Sequence, residues 1–91
     1  GDILWIDAAG DYMCVHTGSR THIMRSTMKQ LASRLDPDTF IRIHRSTIVN
    51  VNFISGARTH VNGEYLLTMA GGTTLKVSRG YSDKIRSLLT P

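Results

Sequence analysis

Turn-forming residues divide this 91-residue chain into runs too short for anything but strands and small helices. Gly10-Asp11, Gly18-Ser19, Asn62-Gly63 and Gly71-Gly72 supply the tight or left-handed backbone that reverses a chain cheaply. Ile3-Leu4-Trp5-Ile6 is predicted as a buried strand, with Tyr12 to Thr17 as its hairpin mate and Arg20 to Met24 as a third strand. Phe40 to His44 and Ile48 to Ile54 are further strands, and Asn62-Gly63 before Tyr65 to Met69 is a type I′ hairpin signal. Gly71-Gly72 makes another hairpin. From Thr73 the period is two, with Leu75 and Val77 on one face and Lys76 and Ser78 on the other, as in a half-buried strand.

Two segments change to helical spacing. Thr27 and Gln30 form a capping box, in which each side chain satisfies the other residue's backbone N–H. Met28, Leu31 and Leu35 then share a face, and Pro37 ends the helix. Tyr81, Ile85, Leu88 and Leu89 form the stripe of a second short helix packing on a sheet. A mainly β fold with two short helices follows, as a single domain over residues 1–91. At this size about 60 to 70% of the unfolded surface is buried, enough for one compact unit.

Apolar residues make up 41% and charged residues 20%, so disorder is excluded. Eleven Lys and Arg against seven Asp and Glu give a charge of +4, which suits a polyanion without requiring one. Eight of those cations are Arg, the side chain whose planar fork matches phosphates and guanine edges. Cys14 is alone and lies in the apolar run Met13-Cys14-Val15, which reads as a packed thiol in a reducing, cytoplasmic setting. No run approaches 18 apolar residues, so no membrane contact is expected of this fragment.

Catalytic readings find little support. His16, His22, His44 and His60 lack the HExxH or paired Cys/His spacing of a zinc site, so no metal is expected. Ser26-Thr27-Met28-Lys29 spells S-x-x-K without the partner motifs of serine hydrolases, and helix capping accounts for its hydroxyls. Gly71-Gly72-Thr73-Thr74 lacks the Lys and following helix of a phosphate loop. Asp7 and Asp11 read as solvated turn formers rather than an acid–base pair. Neither an enzyme nor a cofactor is expected.

The unusual segment is Phe40 to Ile54, where the polar cluster His44-Arg45-Ser46-Thr47 interrupts two apolar runs. A similar exposed Arg follows a strand in Val77-Ser78-Arg79-Gly80-Tyr81. Phe40-x-Arg42-x-His44-Arg45-Ser46-x-x-Val49-Asn50, followed by Val77-Ser78-Arg79-x-Tyr81, resembles the LytTR family. Ile3-x-Trp5-Ile6-Asp7-Ala8-x-Gly10-Asp11-Tyr12 is similar to that family's first motif, Ile-x-Tyr-Ile-Glu-Ala-x-Gly-Asn-Tyr. The motifs occur in family order and extend over nearly the whole chain.

The resemblance implies an elongated set of small antiparallel sheets that binds promoter DNA through loops entering two major grooves and the intervening minor groove. It places Asp11, Tyr12 and Arg79 in major grooves, Arg45 in the minor groove, and Ser46, Lys76 and Ser78 on phosphates. Chemically, Arg79 can fork onto guanine O6 and N7, worth about 1 to 3 kcal/mol of discrimination. Arg45 suits a narrow, strongly negative minor groove. His44 is expected to make a structural hydrogen bond, and Arg58 fits either role.

Asp7 and Asp11 stand where the family more usually has Glu and Asn, and an ionised Asp11 repels phosphate, leaving it to accept from a cytosine amino group or hold the turn. The resemblance further implies side-by-side binding of two copies at direct repeats, a response-regulator parent with an upstream receiver domain, and excision from a longer chain with Gly1 as a cloning remnant. Further strand residues are then expected upstream of Asp2. The competing readings are a protein-interaction or ligand-sensing module without DNA binding, and a small hydrolase or ribonuclease with paired histidines.

Overall fold

The computed structural model describes residues 2–89. The expectation about Gly1 lies outside them. Strands β1 (Ile3–Ala9), β2 (Tyr12–Thr17) and β3 (Thr21–Arg25) precede helix α1 (Met28–Ala32), and β4 (Phe40–His44) and β5 (Thr47–Asn50) follow it. Next come β6 (Ile54–Thr59), β7 (Tyr65–Met69), β8 (Thr74–Val77) and helix α2 (Ser82–Leu89). The first five strands form one antiparallel sheet in the order β3-β2-β1-β5-β4, and the last three form a second in the order β6-β7-β8. The longest dimension is 34 Å, against 25 and 22 Å for the others.

The larger sheet is covered on both faces around β1, β5 and β4, while β3 is exposed along its whole length. Ile6, Met13, Val15 and Ile48 pack under Met28 and Leu31 of α1, with Leu35 and Phe40 at the margin. On the opposite face Ile41, Ile43 and Val49 meet Leu67, Met69 and Val77 of the small sheet and Ile85 of α2. Two-sided burial explains why β5 is apolar at successive positions: Ile48 enters one cluster and Val49 the other.

The capping box forms as the sequence predicts: Gln30 N–H donates to Thr27 Oγ1 at 3.0 Å and Thr27 N–H to Gln30 Oε1 at 3.1 Å. Asn62 and Gly63 both take positive φ, 57° and 77°, the pattern of a type I′ turn. Gly10 has φ 62° with Asp11 not positive, as in the type II′ pattern.

Three expectations are corrected. The strand predicted over Ile48 to Ile54 breaks after Asn50, where a 3-10 turn over Val51–Phe53 carries the chain from one sheet to the other. Asn50 causes the break: its side-chain oxygen accepts from Asn52 N–H at 2.9 Å, giving the backbone an alternative to the ladder. The second concerns the stretch after Ile54, which carries no predicted element and forms β6, a strand with mixed burial around Gly56 that lacks a clean alternation. Finally, Leu88 and Leu89 are 57% and 48% exposed, so the apolar stripe of α2 is covered only as far as Ile85.

Candidate nucleic-acid interface

Strand polarity gathers several turns at one end of the larger sheet. In the ladder Ala9 pairs with Tyr12, Tyr12 with Arg25, Asp7 with Thr47, and Thr47 with His44. The Gly10-Asp11 turn, the end of β3 at Arg25 and the Arg45-Ser46 turn therefore lie along the same edge. A backbone bond from Ala8 N–H to Ser46 O at 2.8 Å ties the first turn to the third. The small sheet joins this row where Ser78 N–H donates to Ile43 O at 2.9 Å, which brings Arg79 beside the β4–β5 turn.

Each Arg-bearing loop is held from behind. At the β4–β5 turn, His44 Nδ1 accepts from Ser46 N–H at 3.2 Å and lies 2.9 Å from Ser46 Oγ. Since an accepting Nδ1 carries no proton, this bond assigns the neutral ring its hydrogen on Nε2. Arg42 Nε donates to His44 O at 3.2 Å and its terminal nitrogen donates to Arg45 O. Arg45 itself is exposed.

At the second loop, a 3-10 turn over Arg79–Tyr81 closes with Tyr81 N–H donating to Ser78 O at 2.9 Å. The buried Ser82 hydroxyl donates toward both Ser78 O and Gly63 O, each at 3.0 Å, and so pins this loop to the Asn62-Gly63 turn. Gly63 lies against the Arg79 stem, where an added Cβ would stand 3.4 Å from Cγ. The head of Arg79 is left to solvent on a supported stem.

The sequence-derived site residues thus divide. Asp11, Tyr12, Arg45 and Arg79 are exposed along the row of turns. The half-buried Ser46 and Ser78 have internal partners, Ser78 Oγ donating weakly to Ile43 O at 3.4 Å. Lys76 projects from the outer face of β8, with its ammonium 3.7 Å from Glu64 Oε2. Arg58 is exposed on β6, opposite Leu66. Sequence reasoning missed Arg25, which lines a cleft of about 510 Å³ together with Gly10, Asp11, Ser26 and Thr27. A signal for it was present: an Arg at the end of β3 must return to the turn that joins β1 and β2.

Arginines, hydrogen-bonding turns and the exposed carboxylate of Asp11 gather at this edge. Among the described residues no group of three or more His, Cys, Asp or Glu side chains could hold a metal ion. Arg86 has its pKa raised, first by the Tyr65 hydroxyl and then by the Asp83 carboxylate. No described helix is long and apolar enough to cross a membrane.

Exposed arginines on turns gathered at one end of a β scaffold have the chemistry of a nucleic-acid-binding surface. The family model of the LytTr DNA-binding domain matches residues 1–90, and the chain belongs to that family. By that membership it is a DNA-binding domain. The sensory transduction protein LytT of Bacillus anthracis is 32% identical over 88 residues, covering 97% of this chain and 36% of that protein. The CO-responsive transcriptional regulator RcoM of Rhodospirillum rubrum is also 32% identical over 88 residues, covering 96% of the chain and 37% of the regulator. A solved LytTr DNA-binding domain from a Bacillus cereus regulator superposes with a TM-score of 0.88 at 30% identity, covering 98% of this chain and 82% of that one. The chain therefore spans about a third of these curated relatives' length.

Proposed function

We propose that this domain binds promoter DNA sequence-specifically, with the Gly10-Asp11-Tyr12 turn and Arg79 in successive major grooves and Arg45 in the minor groove between them. The observation that carries the reading is the order of the turns along one edge, with Arg45 between the other two. Lys76 and Arg25 contact phosphate, and Arg25 offsets the repulsion from Asp11. Ser46 and Ser78 reach phosphate only by exchanging the bonds they now make.

A single reading edge per domain fits two copies in the same orientation on direct repeats, with the duplex bent toward both. The parent is read as a cytoplasmic response regulator. Its receiver domain would lie in the part of the chain corresponding to the uncovered two-thirds of the LytT relatives, upstream of this domain.

Methylation interference on a duplex selected from a random pool tests the placement, because dimethyl sulfate modifies guanine N7 in the major groove and adenine N3 in the minor groove. Two tracts of guanine interference about one turn apart, flanking adenine interference, are expected. Interference confined to a single major-groove tract would contradict the arrangement.

A further inference from the structure

Arg42 lies on an outer strand and is exposed, yet its guanidinium is directed inward onto the protein. Two of its donors go to the carbonyls of His44 and Arg45, on either side of the bend that presents the Arg45 side chain. The same group lies 5.6 Å from the centroid of the Tyr81 ring. Tyr81 closes the 3-10 turn that begins at Arg79. One planar cation thus touches both Arg-bearing loops, which are otherwise joined across this gap by the Ser78 bonds to Ile43 O. A guanidinium suits both contacts at once, because its planar fork fixes two donors in direction while its face lies over the ring, whereas an ammonium on a flexible stem fixes neither direction.

We propose that Arg42 is a positioning residue that fixes the Arg45 turn against the Arg79 turn and so sets the spacing at which the two arginines meet DNA. The proposal rests on the DNA-binding reading above. Two of its five N–H donors are held by backbone carbonyls, and on this proposal Arg42 acts by its shape rather than as a phosphate ligand.

The test compares Arg42→Lys, which keeps the charge and loses the fork, with Tyr81→Phe and Tyr81→Leu, which keep and lose the ring. The probes are a duplex selected by the parent domain and its scrambled counterpart. Arg42→Lys should weaken binding to the selected duplex roughly tenfold, the scale of losing one hydrogen bond made by a charged group. Affinity for the scrambled duplex and the salt slope should not change. Tyr81→Leu should follow Arg42→Lys, and Tyr81→Phe should follow the parent. In an Arg45→Ala background, Arg42→Lys should cost little more, because the turn it fixes no longer carries the reading side chain.

Parental affinity in Arg42→Lys, or losses that multiply with Arg45→Ala, would overturn the proposal. So would a salt slope about one unit smaller in Arg42→Gln, the mark of a phosphate ligand. The free protein gives a readout independent of DNA: Arg42→Lys should move the backbone amide resonances of both Arg45 and Arg79. Movement confined to the β4–β5 turn, in a folded variant, would overturn the coupling. Failure of the parent to distinguish the two duplexes would instead count against the DNA-binding reading.

Discussion

Asn50 is 6% exposed, and both ends of its amide are occupied: Nδ2 donates to Ile3 O at 2.8 Å and Oδ1 accepts from Asn52 N–H. Asn50→Ala would leave a carbonyl and an amide without partners in a packed seam. A stability loss of about 1 to 3 kcal/mol is expected in urea titration, and a midpoint equal to the parent's would show that water replaces both bonds. Arg79 and Lys76 offer a contrast in binding. Arg79→Ala should cost about 1 to 3 kcal/mol on the best site and flatten preference at one base pair. Lys76→Ala should weaken all duplexes alike and lower the salt slope by about one unit. Both are read by competition with single-base variants of the site, once circular dichroism shows parental folding. Arg45 and Arg79 were legible as exposed cations because each follows a strand in a polar cluster. The role of Asn50 was not, since its bond partner Ile3 is 47 residues away.

The capping box and the glycine turns were legible among the elements because their partners lie within a few residues. The break at Val51–Phe53 and strand β6 were not, because they exist to carry the chain onto a second sheet whose pairing is entirely non-local. Gly63 shows how a local turn also serves the candidate site. Gly63→Ala would force a side chain into φ 77° and bring its Cβ to 3.4 Å from the Arg79 stem. A destabilisation of about 1 to 2 kcal/mol is expected from the left-handed backbone alone. The base preference assigned to Arg79 should weaken as well, measured below the variant's melting temperature. Lower stability with an unchanged preference would mean that the turn does not position Arg79.

For the whole molecule, the two-sided burial of β1, β5 and β4 anchors the strand ends that present the Gly10-Asp11 and Arg45 turns. The overall charge of +4 does not identify that row, because Arg20, Lys29, Arg34 and Lys84 also lie exposed on the surface. Arg25 entered the account only through strand order, and Arg42, visible in the sequence as a motif residue, gained a role only through its contacts with the Arg45 turn and Tyr81. The central claim is that this edge reads base sequence rather than charge alone. Fluorescence anisotropy on a selected duplex and on a scrambled duplex of equal length, each at several salt concentrations, tests it most directly. Log affinity should fall linearly with log salt on both, by about 0.9 for each phosphate neutralised, with the selected duplex bound more tightly throughout. Equal affinities at every salt concentration would contradict sequence recognition, and no binding even at low salt would contradict DNA binding by this chain.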